Sequence, residues 1–138
     1  MLRSLRKSVQ SARSSRKSAL GHTHTLTRTL KAPLPVVYGV VADVSSYKEF
    51  IPYCTDSFIT RRDGAGQPLE GGLRVGFQAF DEEFVCDLAC VELEEVLATS
   101  TTHSLFHHLH TKWVFEEQRE EHCRVKLELS YLFKSPVY

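Results

Sequence analysis

The sequence predicts an α+β fold: a wide, curved antiparallel sheet with two short helices inserted after its first strand. Three observations predict it. Residues 34–54, LPVVYGVVADVSSYKEFIPYC, carry Val36, Val37, Val40, Val41 and Val44 at helical spacing. From there to Phe133 the apolar residues recur mostly with period two, the mark of half-buried strands. Turn chemistry breaks that pattern at hairpin distances, as in Asp63-Gly64-Ala65-Gly66.

Taken in order, His22 to Leu30 alternates histidine or threonine with leucine and arginine, a threonine-rich first strand. Pro35 then sits where a first helical turn accepts proline. The helix is short, rich in β-branched valine and interrupted by Gly39, which alone costs roughly 1 kcal/mol against alanine. It needs an apolar surface to lean on. Ser45 and Ser46 are expected to break and re-cap the chain, with Tyr47, Phe50 and Ile51 on a second short turn ended by Pro52. Helices this short plug the end of a curved sheet.

Tyr53 to Arg62 reads as the next strand, closed by the DGAG turn, and Gln67 to Gly72 reads as loop. Leu73, Val75, Phe77 and Ala79 form one strand face, with a tight reversal expected at Asp81-Glu82. Phe84, Cys86, Leu88 and Cys90 return, and Glu94 to Thr102 is a weaker strand. Leu105 to Glu117 sets Leu109, Trp113 and Phe115 on one face. The clearest alternation is the last, from Cys123 through Val125, Leu127, Leu129 and Tyr131 to Phe133. Such a sheet, six or seven strands wide, curls and presents an apolar concave face that needs a cover. The two helices reach only one end of it.

Charge is unevenly spread along the 138 residues. Residues 1–31 hold eight basic residues and no acidic one; residues 32–138 hold the other nine against all 17 acidic residues, a net of −8. The Arg- and Ser-rich, acid-free stretch 1–21 has the composition of a mitochondrial transit peptide, leaving 22–138 as the folded domain. Its few apolar residues suit neither a secretory signal nor a membrane span. Cys54, Cys86, Cys90 and Cys123 form no CxxC pair and are expected to be reduced and mostly buried.

Four segments carry a resemblance to a known family: VVADVSSYKEFIPYC at 40–54, VGF at 75–77 followed by Glu82-x-Phe84, SLFHHLHTKWVF at 104–115, and the closing FKSPVY. Together they resemble the mitochondrial coenzyme Q-binding proteins, in the polyketide-cyclase-like branch of the START superfamily. The resemblance runs from about His24 to Tyr138 and implies the helix-grip (START/Bet v 1-like) fold. In that fold a curved sheet grips a long C-terminal helix, and the cavity between them holds a hydrophobic ligand. It implies a ubiquinone carrier or chaperone with no reaction and no catalytic cofactor of its own. Such a carrier supports respiratory electron transfer and quinone synthesis at the matrix side of the inner mitochondrial membrane, in exchange with respiratory-chain or quinone-synthesis complexes. The family pattern has Gly-Pro-Phe where this chain has Ser104-Leu105-Phe106, and asparagine where it has Thr111. Its covering helix would begin just after Tyr138, so a C-terminally shortened form is expected.

A carrier of a polyprenyl quinone needs an oily hollow with one or two donors for the head group. Val40, Val44, Phe50, Ile51, Tyr53 and Phe77 are expected to line it, with Phe84, Leu88, Leu109, Trp113, Phe115 and Tyr131. The Tyr53 or Tyr131 hydroxyl and the Trp113 indole N–H are the candidate donors. Three other readings are weaker. A START-like aromatase/cyclase would need an acid or base such as Asp43, Glu49 or Glu82, of which Asp43 at a helix end and Glu49 on a polar turn read as solvated surface. A ribosome-associated, toxin-like protein would need a basic, aromatic-bearing face, whereas the body is acidic, so no nucleic-acid partner is expected. A metal site is not expected either. His108 and His110 share a strand face without His107, no carboxylate or cysteine stands beside them, and His22 and His24 are expected on an exposed strand.

Overall fold

A computed structural model describes residues 21–134 of the chain. The basic leader and the last four residues of the closing motif lie outside the described residues. Strand β1 (His22–Leu30) leads into helix α1 (Leu34–Ala42) and a 3-10 helix (Val44–Glu49). Six strands follow: β2 (Cys54–Arg62), β3 (Pro68–Phe77), β4 (Phe80–Val91), β5 (Glu95–Ser100), β6 (Phe106–Arg119) and β7 (His122–Phe133). They form one seven-stranded antiparallel sheet in the order β1-β7-β6-β5-β4-β3-β2. Strands β2 to β7 are joined hairpin to hairpin. The helical segment carries the chain from one sheet edge to the other, so it must cross the concave face.

Helix α1 closes one end of that face. Val37 (0 % exposed), Tyr38 and Val41 pack on Leu30, Val96, Phe115, Cys123 and Val125. The Tyr38 ring meets Phe115 edge-on at 5.4 Å. Burial of this face holds a nine-residue helix that would not form alone. The buried side is not quite the expected valine stripe: Val36 is exposed, and Tyr38 takes the inward place. Val37 and Val41 of the stripe stay buried beside it.

The junction to the 3-10 helix also differs from expectation. Ser45 and Ser46 lie inside that helix and donate their hydroxyls backward to the two Asp43 carboxylate oxygens. Asp43 is therefore the residue at the break. The 3-10 helix is tied to β2 by the Ser57 hydroxyl, which donates to the Ser45 carbonyl (2.8 Å) and accepts from the Lys48 amide (3.0 Å).

Gln67 to Gly72, expected as loop, is the first half of β3 from Pro68 onward. Pro68 opens the strand, where a missing N–H is tolerated. The two glycines are there for space. A Cβ on Gly71 would stand 2.6 Å from the Phe58 carbonyl oxygen, and one on Gly72 would meet the Phe58 ring at 2.7 Å. The reversal expected at Asp81-Glu82 is three residues earlier. Phe77 pairs with Phe80, leaving Gln78 and Ala79 as the turn, with Gln78 in the left-handed region (φ 55). No glycine or asparagine marks it, and Asp81 instead accepts both Arg74 N–H bonds (2.9 and 2.7 Å) across the hairpin. Strands β1 and β7 run as the alternation predicts, in unbroken register from His22–Tyr131 to Leu30–Cys123.

Candidate functional site

Beyond the end plugged by α1, the concave face stays open as a hollow of about 280 Å³. The helical segment contributes Val44, Tyr47 and Ile51 to its wall. The floor is set by pairing: Leu129, Thr111 and Ala98 lie in one row across β7, β6 and β5, and Leu127, Trp113 and Val96 in the next. On the far side it is closed by Leu73, Phe84, Cys86 and Leu88, with Gly71 and Gly72 keeping the wall thin. Among the described residues, no Asp, Glu, Lys, Arg or His lines it.

Its polar atoms are few and mostly spent. The Tyr47 hydroxyl donates to the Val41 carbonyl, and burial pushes that phenol well above its ordinary value. Burial likewise pushes the Cys86 thiol from 9.0 up to about 11, with nearby Asp87 adding to the effect, so it stays protonated at any physiological pH. This surface offers dispersion and hydrophobic contact, not proton transfer.

Of the side chains expected to line a cavity, the structure brings together Val44, Ile51, Phe84, Leu88, Leu109 and Trp113. The others lie elsewhere. Val40 is half-buried on α1 away from the hollow, and Phe115 is sealed in the core under Tyr38. Phe50 packs on Tyr47 at 5.6 Å. Tyr53 and Phe77 are 59 % and 51 % exposed and hold each other at 4.7 Å outside the hollow. Tyr131 belongs to an aromatic cluster flanking it, with Phe106, Phe133 and His24. His24 is a correction: it is buried rather than exposed, its ring stacked on Tyr131. Its row partner is Leu129 of the hollow floor, so it faces the concave side.

The wall also includes side chains outside the expected set: Tyr47, Leu73, Cys86, Val96, Ala98, Thr111, Leu127 and Leu129. Thr111 was within reach, since it stands two residues from both Leu109 and Trp113 on one strand. Ala98 needed the β5–β6 register, which no local pattern specifies.

A second, polar cleft of about 400 Å³ lies between α1 and the DGAG turn, lined by Tyr38, Asp43, Ser45, Arg62 and Gln67. The Tyr38 hydroxyl donates to Gln67 Oε1 at 2.9 Å. Burial alone would raise the Asp43 carboxyl, but the Ser45 and Ser46 hydroxyls and the Arg62 charge outweigh it and hold the group below its ordinary value. Asp43 is thus an ionised structural acceptor outside the hollow. The histidines are dispersed: His110 Nδ1 pairs with Thr99 Oγ1 (2.9 Å) and His108 Nε2 with Ser130 Oγ (3.2 Å). Among the described residues no group of three potential ligands converges on a metal position. All four cysteines are free.

Residues 30–138 match the family described as polyketide cyclase / dehydrase and lipid transport. The mitochondrial coenzyme Q-binding protein COQ10 of Eremothecium gossypii is 45 % identical over 139 residues, spanning 90 % of this chain and 68 % of its own length. The chain belongs to this family. Its Saccharomyces cerevisiae relative, also named a mitochondrial coenzyme Q-binding protein, is 41 % identical over 83 % of this chain and 58 % of its own. The chain thus spans roughly three fifths to two thirds of the length of these family members. Among solved structures, a START superfamily protein from Mycobacterium smegmatis superposes with a TM-score of 0.76 at 18 % identity, covering 86 % of this chain and 81 % of that one. The Zhui aromatase/cyclase of Streptomyces sp. R1128 gives 0.71 at 17 % identity, over 82 % and 68 % of the two chains. Those two likenesses establish the START-like fold.

Proposed function

We propose that this protein binds ubiquinone in the hollow and carries it, without transforming it, between the inner mitochondrial membrane and the complexes that make or use quinone. The observation that carries the reading is a cavity with no charged lining in a chain whose relatives are named mitochondrial coenzyme Q-binding proteins. Ten buried methylene carbons amount to roughly 8 kcal/mol, close to a millionfold in partition. A polyprenyl tail therefore needs such a shelter to leave a bilayer. A volume of about 280 Å³ is near the lower end of ligand pockets, roughly 300–1,000 Å³, and suits a head group with the first part of its tail. A cyclase reading lacks an acid or base in place. Asp43 lies in the polar cleft, Glu49 is exposed, and Glu82 does not line the hollow.

Docking on the membrane from the matrix side is supported by the acid-free leader and by the Tyr53–Phe77 pair. Tyr53 adopts φ 64, a costly conformation for a bulky residue, and its ring stands in solvent against Phe77. Ile51 and Leu73, from the same two segments, line the hollow, so the exposed pair stands beside it. Amphipathic aromatics in such a place suit the headgroup layer of a bilayer.

The test is extraction of bound quinone from the full chain purified from a ubiquinone-producing host. Val44→Lys and Phe84→Asp each place a charge in the wall and are expected to abolish co-purification while circular dichroism still reports the folded sheet. Wild-type quinone content in either folded variant would overturn the site. Flotation with phosphatidylcholine vesicles tests docking: Tyr53→Ser with Phe77→Ser should abolish it, and undiminished flotation removes these two residues from the interface.

A further inference from the structure

Thr111 stands at the middle of the hollow floor, between Leu129 of β7 and Ala98 of β5. Its hydroxyl has no hydrogen-bond partner among the described residues. Among the described residues no unpartnered polar side-chain atom is buried, so this oxygen, on a residue lining the hollow, is accessible. The other polar groups there cannot take its place. The Tyr47 hydroxyl is committed to the Val41 carbonyl, and the Cys86 thiol is a weak donor. Its neighbour in the row, Ala98, is the smallest side chain in this part of the floor and leaves room beside the hydroxyl for a flat ring. Trp113, two residues along the same strand face, offers an aromatic surface next to that space.

An apolar cavity with a single unspent hydroxyl in its floor recognises an amphiphile whose polar atom is a hydrogen-bond acceptor carried into the oily interior. We infer that Thr111 Oγ1 anchors the ring carbonyl of a quinone-class head group, which lies over Ala98 beside Trp113. This inference rests on the proposed binding function and adds orientation to it: the head is held at the floor. A carrier whose only contacts were apolar would bind any hydrophobe of the right size. A donor at the floor discriminates carbonyl-bearing rings from plain hydrocarbons, because an unmatched hydroxyl is left without its partner.

The experiment uses the full chain and two probes with the same ten-carbon tail, decylubiquinone and decylbenzene. Binding is read by displacement of a polarity-sensitive dye from the hollow. Thr111→Val keeps the volume and the β-branching but removes the hydroxyl, and Thr111→Ser keeps the hydroxyl. Thr111→Val is expected to weaken decylubiquinone about three- to tenfold, the worth of one hydrogen bond, and to leave decylbenzene unchanged. Thr111→Ser should stay within about twofold of wild type for both. Equal quinone affinity in Thr111→Val and wild type overturns the anchor while leaving the binding function standing, as does an equal loss for both probes. A wild-type chain that displaces dye with neither probe overturns the binding function and the anchor with it.

Discussion

Leu30 and Leu129 are the same residue type on neighbouring strands, and they test whether the hollow is hollow. Leu30 is 5 % exposed and sits in the sealed cluster with Val37, Val41 and Cys123. Leu129 lies on the floor of the cavity, half-buried, with one side facing open space. Leu→Ala removes about three carbons, roughly 2.4 kcal/mol of transfer free energy. In a sealed core a new void adds to this, and comparable truncations cost about 3–5 kcal/mol. Leu30→Ala is therefore expected to cost about 3–4 kcal/mol. Leu129→Ala only widens a space that already exists and forfeits part of the transfer free energy, about 1–1.5 kcal/mol. For a domain of this size 1 kcal/mol corresponds to about 3–4 °C in Tm, so the two variants should separate by about 6–10 °C in thermal denaturation followed by circular dichroism. Saturating decylubiquinone should raise the wild-type Tm, by about 2.7 kcal/mol of added stability at a hundredfold excess over Kd. If Leu129→Ala falls as far as Leu30→Ala, the space is filled by the protein's own side chains and the reasoning fails.

Two other expectations concern titratable groups. With its thiol at about 11 rather than 9.0, Cys86 carries about a hundredfold less thiolate at pH 8 than an unperturbed cysteine. A thiolate of higher pKa is more nucleophilic, which returns part of that factor, so iodoacetamide labelling mapped by mass spectrometry should be slower there by about tenfold or more, and slower again with quinone bound. Because the folded thiol is held above its unfolded value, its contribution to stability is full below pH 9.0 and is lost as pH rises toward 11. Urea midpoints that stay flat between pH 8 and 10.5 would contradict this. Asp43 has the opposite sign: its depressed carboxyl stabilises the fold above about pH 4 and loses that contribution as pH falls further. Asp43→Asn should cost about 1 kcal/mol through the weakened serine contacts and leave quinone content per folded chain unchanged. A loss of bound quinone in a folded Asp43→Asn would reopen the cyclase reading.

How much could be read without the fold depended on how local each signal was. Strand β7 was plain because its alternation needs only side-chain period, and the His22–Leu30 strand followed for the same reason. The reversal at Gln78-Ala79 was hidden, because its left-handed residue is a glutamine carrying none of the usual turn chemistry. Gly71 and Gly72 read as loop because only the partner strand shows why they are glycine: the Phe58 carbonyl and ring occupy the space a Cβ would need. In the site, Val44, Phe84, Leu109 and Trp113 were recognisable as apolar residues on inward faces. Tyr53 and Phe77 looked the same in sequence yet stand in solvent, since hydrophobicity does not say which end of a strand the hollow covers.

The amino-acid sequence by itself determined the α+β class, the strand faces and the family, since these rest on periodicity and motif and involve residues near one another in the chain. Only the tertiary structure decided which apolar residues seal the core and which surround empty space. That division is made by cross-strand register: a shift of one residue turns every side chain to the other face. It placed Thr111 between Leu129 and Ala98, and a hydroxyl free to meet a ligand exists only through that placement.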